Sequence, residues 1–361
     1  MDLLRQGKRR LIPLQQKLAR KLHDLTYLFL ELTNRCNLDC LHCGSDCTRS
    51  SAIPDLPRSS VLEVLREIAF RYDPSRITVV LSGGEPLCYP GVFDLGGAIS
   101  DLGFPWGMVT NGWGWSRRKV IQANAAGMRT ATVSLDGLEG AHDWLRSRRG
   151  SFKKAVETIR LLLEGAFLGA LDVITCVHKR NLDDLDPLHS LLSGLGVPSW
   201  RLFTISPIGR AVGQAELFLS VDEYRTLVEK TLQLRRRDGV SVGFSGCSYL
   251  GPHLELEVCD RYFFCRAGIN IAGILVNGDI LACPNIDRRF KQGNIHTDTF
   301  VDVWEKRYAP FRERDWMRTG ECQDCSEWAM CQGNSFHLRD FDSRLLSLCE
   351  AKRYNLLEAK G

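Results

Sequence analysis

Hydrophobic residues fall along this chain in short dense runs separated by longer amphipathic ones. YLFLEL (27–32), ITVVLS (77–82), WGMVT (106–110), TATVSL (130–135), LDVITCV (171–177) and WRLFTIS (200–206) are nearly continuous in strand-forming residues. Unbroken runs predict strands covered on both faces, because a half-exposed strand alternates apolar with polar. Between them, VLEVLREIAFRY (61–72), SFKKAVETIRLLLEG (151–165) and LDDLDPLHSLLSGL (182–195) read as helices. Six strand–helix repeats predict an α/β fold, a parallel sheet curling into an open or partial (β/α)6, TIM-like barrel. Ligands of such sheets sit at the carboxyl ends of the strands. There lie a cysteine-rich loop after the first strand, GGEP after the second, TNG after the third and LDG after the fourth.

The flanks differ from this core. Leucines 11, 14, 18, 22 and 25 form a helical stripe within residues 1–26, predicting a helix packed across the domain that follows. The barrel is expected at 27–210, and 211–258 reads as a bridging segment with a helix near 221–238. From 259 to 361 regular periodicity fades, and cysteine, glycine and short loops take over, which predicts a small cysteine-rich second domain.

Composition changes the picture little. The 361 residues balance 47 Lys+Arg against 43 Asp+Glu, a net charge of +4, which makes no case for a nucleic-acid partner. No stretch of 18 apolar residues appears, so no membrane span is expected. The basic N-terminus lacks the apolar core and cleavage site of a signal peptide, so a cytoplasmic location is expected.

Cysteine usage changes it a great deal. Fourteen cysteines in a long chain without a signal peptide point to metal rather than to disulfides. Cys36, Cys40, Cys43 and Cys47 lie early; Cys259, Cys265, Cys283, Cys322, Cys325, Cys331 and Cys349 lie late. Cys36, Cys40 and Cys43 are spaced C-x3-C-x2-C. Three thiolates on one loop suit a four-iron cluster with one iron left for another ligand. A zinc site completed by Cys47 or His42 has the same spacing, and spacing alone leaves both open.

These motifs, falling on successive strand ends, resemble the radical S-adenosylmethionine (radical SAM) superfamily: C-x3-C-x2-C at 36–43, Gly83-Gly84-Glu85-Pro86, and Ser134-Leu135-Asp136-Gly137. The resemblance covers about 27–210. It implies a [4Fe-4S] cluster on Cys36, Cys40 and Cys43 whose open iron is chelated by S-adenosyl-L-methionine. Reductive cleavage would then yield a 5′-deoxyadenosyl radical, with the protein supplying binding, orientation and electronics. By the same resemblance, Gly83 and Gly84 admit the methionine part, backbone groups with Glu85 bind its ammonium, and Pro86 completes the cofactor-binding motif. Ser134 and Arg146 reach the carboxylate or ribose, and Thr110 and Asn111 open the loop facing the cofactor. His42 takes the slot of an adenine-contacting aromatic residue, and Asp136 is a further cofactor-binding candidate, with fixing its own turn as the alternative. Arg146 also lies in the basic run DWLRSRRG, where a solvated helix end is the alternative. Cys47 has no counterpart in the motif and reads as a free thiol or packing residue.

The tail, with a double zinc ribbon as the alternative, resembles the SPASM extension found behind such barrels. That likeness implies two auxiliary [4Fe-4S] clusters. Cys259, Cys265 and Cys283 would hold the first, and Cys322, Cys325, Cys331 and Cys349 the second. The pattern departs from the family where Ser335 replaces a cysteine. The first auxiliary cluster is therefore expected to have an open iron, with Ser335 or another thiol such as Cys247 as alternatives. Pro284 stands where sulfatase-maturating members carry a basic aspartate, which argues against formylglycine formation.

The resemblance implies an oxygen-sensitive enzyme that modifies a peptide or protein side chain, forming a thioether or cross-link or oxidising it. A reductase, flavodoxin or ferredoxin would donate electrons. About 26 residues precede the first strand, which is expected to be too few for a leader-binding domain. The alternatives are therefore dehydrogenation or rearrangement of a small molecule such as a sugar or alcohol, and, outside catalysis, a zinc- or cluster-binding scaffold. No general base is legible.

Overall fold

The computed structural model describes residues 2–165, 169–246 and 248–354, the side chains of residues 2–8 and 10 excepted. Helix α1 (Asp2–Leu22) leads into β1 (Tyr27–Thr33), followed by α2 (Arg58–Arg71) and β2 (Thr78–Gly83). Next come α3 (Val92–Asp101), β3 (Trp106–Thr110), α4 (Arg117–Ala125) and β4 (Met128–Ser134). Helices α5 (Glu139–Leu145) and α6 (Ser151–Glu164) precede β5 (Ala170–Val177), α7 (Leu185–Leu195) and β6 (Ser199–Thr204). Beyond these lie α8 (Val221–Leu234), β7 (Ser241–Phe244), α9 (Glu255–Val258), β8 (Ile271–Ile274), β9 (Asp279–Leu281), β10 (Gly293–Asn294) and α10 (Phe300–Arg307).

The ten strands of the described residues form one open sheet, ordered β10-β9-β8-β1-β2-β3-β4-β5-β6-β7. From β8 through β1 to β7 every neighbouring pair is parallel. The continuous apolar runs are buried as expected: Leu28, Leu30 and Leu32 of β1 and Trp106 and Met108 of β3 are all inaccessible. On the outer face α2 buries Val61, Val64, Leu65 and Ile68, the spacing of one helical stripe. Each such side chain contributes on the order of 1.5–3 kcal/mol by leaving water.

Two features go beyond the sequence reading. Segment 211–258, read as a bridge, supplies β7 to the sheet edge beside β6. The cysteine-rich tail supplies β8, which extends the sheet on the other side by pairing Tyr27 with Ile271 through Leu30 with Ile274. Barrel and tail therefore share one hydrogen-bonded sheet.

The leucine stripe of α1 is a correction. Leu11, Leu14, Leu18 and Leu22 point outward, each more than half exposed, and only Leu25, beyond the helix, is buried. The helix docks through its other face. There Ile12 is buried, Gln16 Nε2 donates to Met330 O at 2.8 Å, Arg9 pairs with Glu327 at 2.6 Å and Arg20 donates to Gln332 at 2.9 Å. One buried hydrogen bond, from Gln16, and part-buried contacts of Arg9 and Arg20 to the tail set its rotation in place of leucine burial.

Candidate active site

The loop that leaves β1 is closed at its neck, where Cys36 N donates to Thr48 O at 2.8 Å and Thr48 N to Asn34 O at 3.2 Å. Its irregular backbone exposes carbonyls that no strand can satisfy, and arginines from elsewhere satisfy them. Arg210 donates Nε to Cys40 O and Nη1 to Cys47 O, both at 2.8 Å, and its own N–H to Cys43 O at 3.0 Å. Gln214 donates to Leu41 O at 3.1 Å, and Arg148 donates to Asn37 O while stacking over Trp113. Cys36, Cys40 and Cys43 thus converge on one concavity at the carboxyl ends of the strands. Asn111 Nδ2 lies 3.7 Å from Cys36 Sγ, and Arg146 Nη1 lies 3.6 Å from Cys40 Sγ. Burial pushes the Cys36 thiol up to about 12 and raises Cys40. Anionic sulfur here needs a metal or these donors. Cys47 is buried, 3.2 Å from Asn34 Oδ1, and hydrogen-bonded with Cys43, which lowers Cys43 and raises Cys47.

The glycines after β2 are dictated by this loop. A Cβ on Gly84 would lie 2.1 Å from Arg35 O, and one on Gly83, at φ +112°, would lie 2.4 Å from Thr33 O. Both glycines line the cavity. Glu85 does not line it. Its carboxylate turns back to accept Thr110 Oγ1 at 2.8 Å, Asn111 N at 2.9 Å and Leu87 N at 3.3 Å. Burial, stronger than these donors, lifts it to about 7. Pro86 begins the short turn behind it. Glu85 and Pro86 thus brace the wall from behind.

Asp136 and Arg146 form the second brace. Asp136 is inaccessible and receives Arg146 Nε at 2.6 Å, Nη2 at 2.5 Å and the Cys176 N–H at 2.8 Å. Although burial opposes it, the guanidinium leads the effects that hold the Asp136 carboxyl down at about 2. Arg146 is buried in the wall, which removes the solvated-helix-end alternative. His42, Asp136 and Cys176 bring potential ligand atoms within 4.8 Å of one another. Arg146 already occupies that carboxylate, and burial pushes His42 down to about 3, leaving a neutral ring whose Nδ1 has no partner among the described residues.

The cavity these walls enclose is about 360 Å³. Cys36, Cys40, His42, Cys43, Gly83, Gly84, Thr110, Asn111, Ser134 and Arg146 line it on the barrel side, with Cys176, Phe203 and Arg210. Asn285 and His337 line it from the tail. Glu31 of β1 ties the two sides together, since its buried carboxylate accepts Ser45 Oγ at 3.1 Å and pairs with Arg288 at 3.7 Å.

In the tail, Cys331 lies within electrostatic reach of Cys349, Cys322 and Cys325, and Cys283 within reach of Cys265. Cys259 donates instead to the Glu255 carboxylate. Ser335 Oγ is buried without a hydrogen-bond partner among the described residues. Cys247 lies outside the described residues. Two arginines point into this region without a carboxylate partner among the described residues. Arg314, almost inaccessible, donates to Cys265 O at 2.5 Å, and Arg339 Nη2 lies 3.5 Å from Cys322 Sγ. Buried cations without a counter-charge are costly, so the pair fits anionic centres held among these thiols.

Residues 30–192 match the Radical SAM superfamily, and residues 265–326 match the SPASM iron–sulfur cluster-binding domain. The chain belongs to the radical SAM superfamily. It is a radical SAM enzyme with a SPASM domain in its tail. An AdoMet-dependent heme synthase of Methanosarcina barkeri is 26% identical over 324 residues, covering 84% of this chain and 89% of the relative. Mycofactocin maturase MftC of Mycobacterium tuberculosis is 28% identical over 317 residues, covering 86% and 78%. The crystal structure of Streptococcus suis SuiB bound to precursor peptide SuiA superposes with a TM-score of 0.70 at 19% identity, covering 88% of this chain and 74% of that one. At that identity the likeness concerns the fold.

Sequence reasoning missed several residues of this radical SAM site. Arg210, Gln214 and Arg148 act through loop carbonyls, Arg314 and Arg339 through burial near cysteines, and none belongs to a spaced motif. His337 was equally silent, although it stands two residues beyond Ser335, where the cysteine pattern breaks.

Proposed function

We propose that the cavity binds S-adenosyl-L-methionine against a [4Fe-4S] cluster held by Cys36, Cys40 and Cys43, and that the enzyme modifies a peptide or protein side chain. The observation that carries this reading is one cavity walled by three cysteines of the barrel and by Asn285 and His337 of the tail. When bound, the cluster and nucleotide supply a 5′-deoxyadenosyl radical, which removes a hydrogen atom from substrate. The chain's own residues bind and orient. Gly83, Gly84 and Thr110 offer backbone close to the methionine part, Ser134 and Arg146 face its carboxylate or the ribose, and neutral His42 faces the adenine. Glu85, Pro86 and Asp136 act from behind the wall by fixing Thr110, Asn111 and Arg146. The tail fits two auxiliary clusters, on Cys259, Cys265 and Cys283 and on Cys322, Cys325, Cys331 and Cys349. For the first of these, the buried Ser335 hydroxyl, without a hydrogen-bond partner among the described residues, is the alternative to an open iron. A flavodoxin, ferredoxin or reductase supplies the electron.

The likeness to a mycofactocin maturase and to a fold solved with a precursor peptide supports a peptide substrate. A second reading, a small molecule, draws support from the heme synthase, which matches over most of both chains. The deciding experiment is anaerobic turnover with side-chain-deuterated candidate peptides and, separately, a deuterated tetrapyrrole. Deuterium should enter 5′-deoxyadenosine from the peptide. Transfer from the tetrapyrrole alone selects the second reading. A preparation holding zinc without sulfide refutes both.

A further inference from the structure

His337 belongs to both halves of the site. Its Nε2 lies 3.5 Å from Cys283 Sγ, and its ring lines the same cavity as Cys36, Cys40 and Cys43. It also borders the adjoining cleft with Gly44, Ile208, Pro284 and Asn285. No mechanism given above uses it.

Resting on the auxiliary-cluster reading, we propose that His337 is a positioning residue that donates its Nε2–H to the Cys283 thiolate and thereby raises the reduction potential of the first auxiliary cluster. A metal-bound thiolate has lone pairs and no proton, so a partner at hydrogen-bond distance must donate. That requirement places a proton on Nε2. Hydrogen bonds to cluster sulfurs draw charge off the thiolate and favour the reduced cluster. The 3.5 Å separation also decides against His337 as the missing fourth ligand. Each iron of a cubane takes one external ligand, and ligands on different corners stand much further apart than a hydrogen bond. Because the ring is also cavity wall, the auxiliary centre and whatever occupies the cavity meet at this side chain. Pro284, next to Cys283, offers no N–H; the Asn285 backbone N–H donates to the sulfur as well, and His337 adds the side-chain donor.

The test is a redox titration, followed by electron paramagnetic resonance, of the anaerobically reconstituted full chain and of His337→Phe and His337→Gln. All three should hold equal iron and sulfide. One midpoint should fall in His337→Phe and recover part-way in His337→Gln, which keeps an N–H, while the midpoint of the cluster on Cys36, Cys40 and Cys43 stays put. Unchanged midpoints in His337→Phe overturn the inference. So does loss of one cluster's iron from His337→Phe, which would make the imidazole a ligand. A wild-type chain that holds about four iron atoms, rather than the roughly twelve of three clusters, removes the auxiliary-cluster reading and the inference with it. Midpoints that stay put in a chain holding about twelve remove the inference alone.

Discussion

The Glu85 carboxylate accepts the backbone N–H of Asn111 at 2.9 Å while its other oxygen takes the Thr110 hydroxyl at 2.8 Å. The ends of β2 and β3 are therefore held by one buried side chain, and Asn111 is aimed toward Cys36 as a result. Glu85→Ala leaves these donors unpaired in the interior. It should lower stability by about 1–3 kcal/mol, read as a drop in the urea midpoint, and should weaken S-adenosylmethionine binding in equilibrium dialysis. Glu85→Gln, which keeps an acceptor, should be milder on both counts.

The same burial predicts a pH dependence. Glu85 is lifted from its ordinary 4.5 to about 7, and Glu255, also chiefly by burial, to about 7. Between these values the folded chain keeps protons that the unfolded chain has released. Their contribution to stability is complete below pH 4.5 and disappears as the pH climbs through 7. Unfolding free energy from this source should fall across that window. Urea midpoints measured along it should slope less steeply in Glu85→Gln, and less steeply again with Glu255→Gln added.

Arg146 and Asp136 should be separable only together. Arg146→Met strands a carboxylate that has no solvent access and should cost about 3–5 kcal/mol. Arg146→Met with Asp136→Asn removes both charges and should recover a large part of that loss. Equal instability of the single and double variants in chemical denaturation would show that Arg146 matters for something other than this pair.

Gly84→Ala places a methyl group against the carbonyl of Arg35, one residue before Cys36. Overpacking of this kind costs about 1–3 kcal/mol. The strain falls on the cysteine loop, so iron content should drop more than helix content by circular dichroism. Gly97→Ala, where an added Cβ meets nothing, is the matched control and should keep its iron.

Arg210→Ala frees the carbonyls of Cys40 and Cys47 without touching a sulfur. It should still be loaded with iron, then lose it to a chelator several-fold faster than the wild type. Cys36→Ala should instead lack about four irons from the outset and fail to cleave S-adenosylmethionine.

The barrel was legible because buried strands leave unbroken apolar runs. WGMVT at 106–110 coincides with β3, and each of the other five runs falls within a residue or two of its strand. Strands β7 and β8 escaped notice because SVGF and IAGI are four residues long, contain glycine and have no room for a periodic signal. The α1 stripe misled for a different reason. Periodicity reports that a helix has two faces, and here Gln16 and Arg20 secure the polar one through hydrogen bonds that no hydropathy pattern encodes. At the site, cysteine spacing and the strand-end motifs pointed to one cavity. The division between Gly84, which forms its surface, and Glu85, which braces it, depends on which way one carboxylate turns.

The ladder between β1 and β8 has a consequence for timing. The loop bearing Cys36, Cys40 and Cys43 leaves β1, and the tail enters the sheet at the adjacent β8, so the two cysteine-rich segments are joined through one hydrogen-bonded ladder rather than across a hinge. Electron tunnelling decays exponentially with distance. The pace of any electron traffic between the two segments would accordingly depend on the main-chain pairing of Leu28 with Ala272 and Phe29 with Gly273.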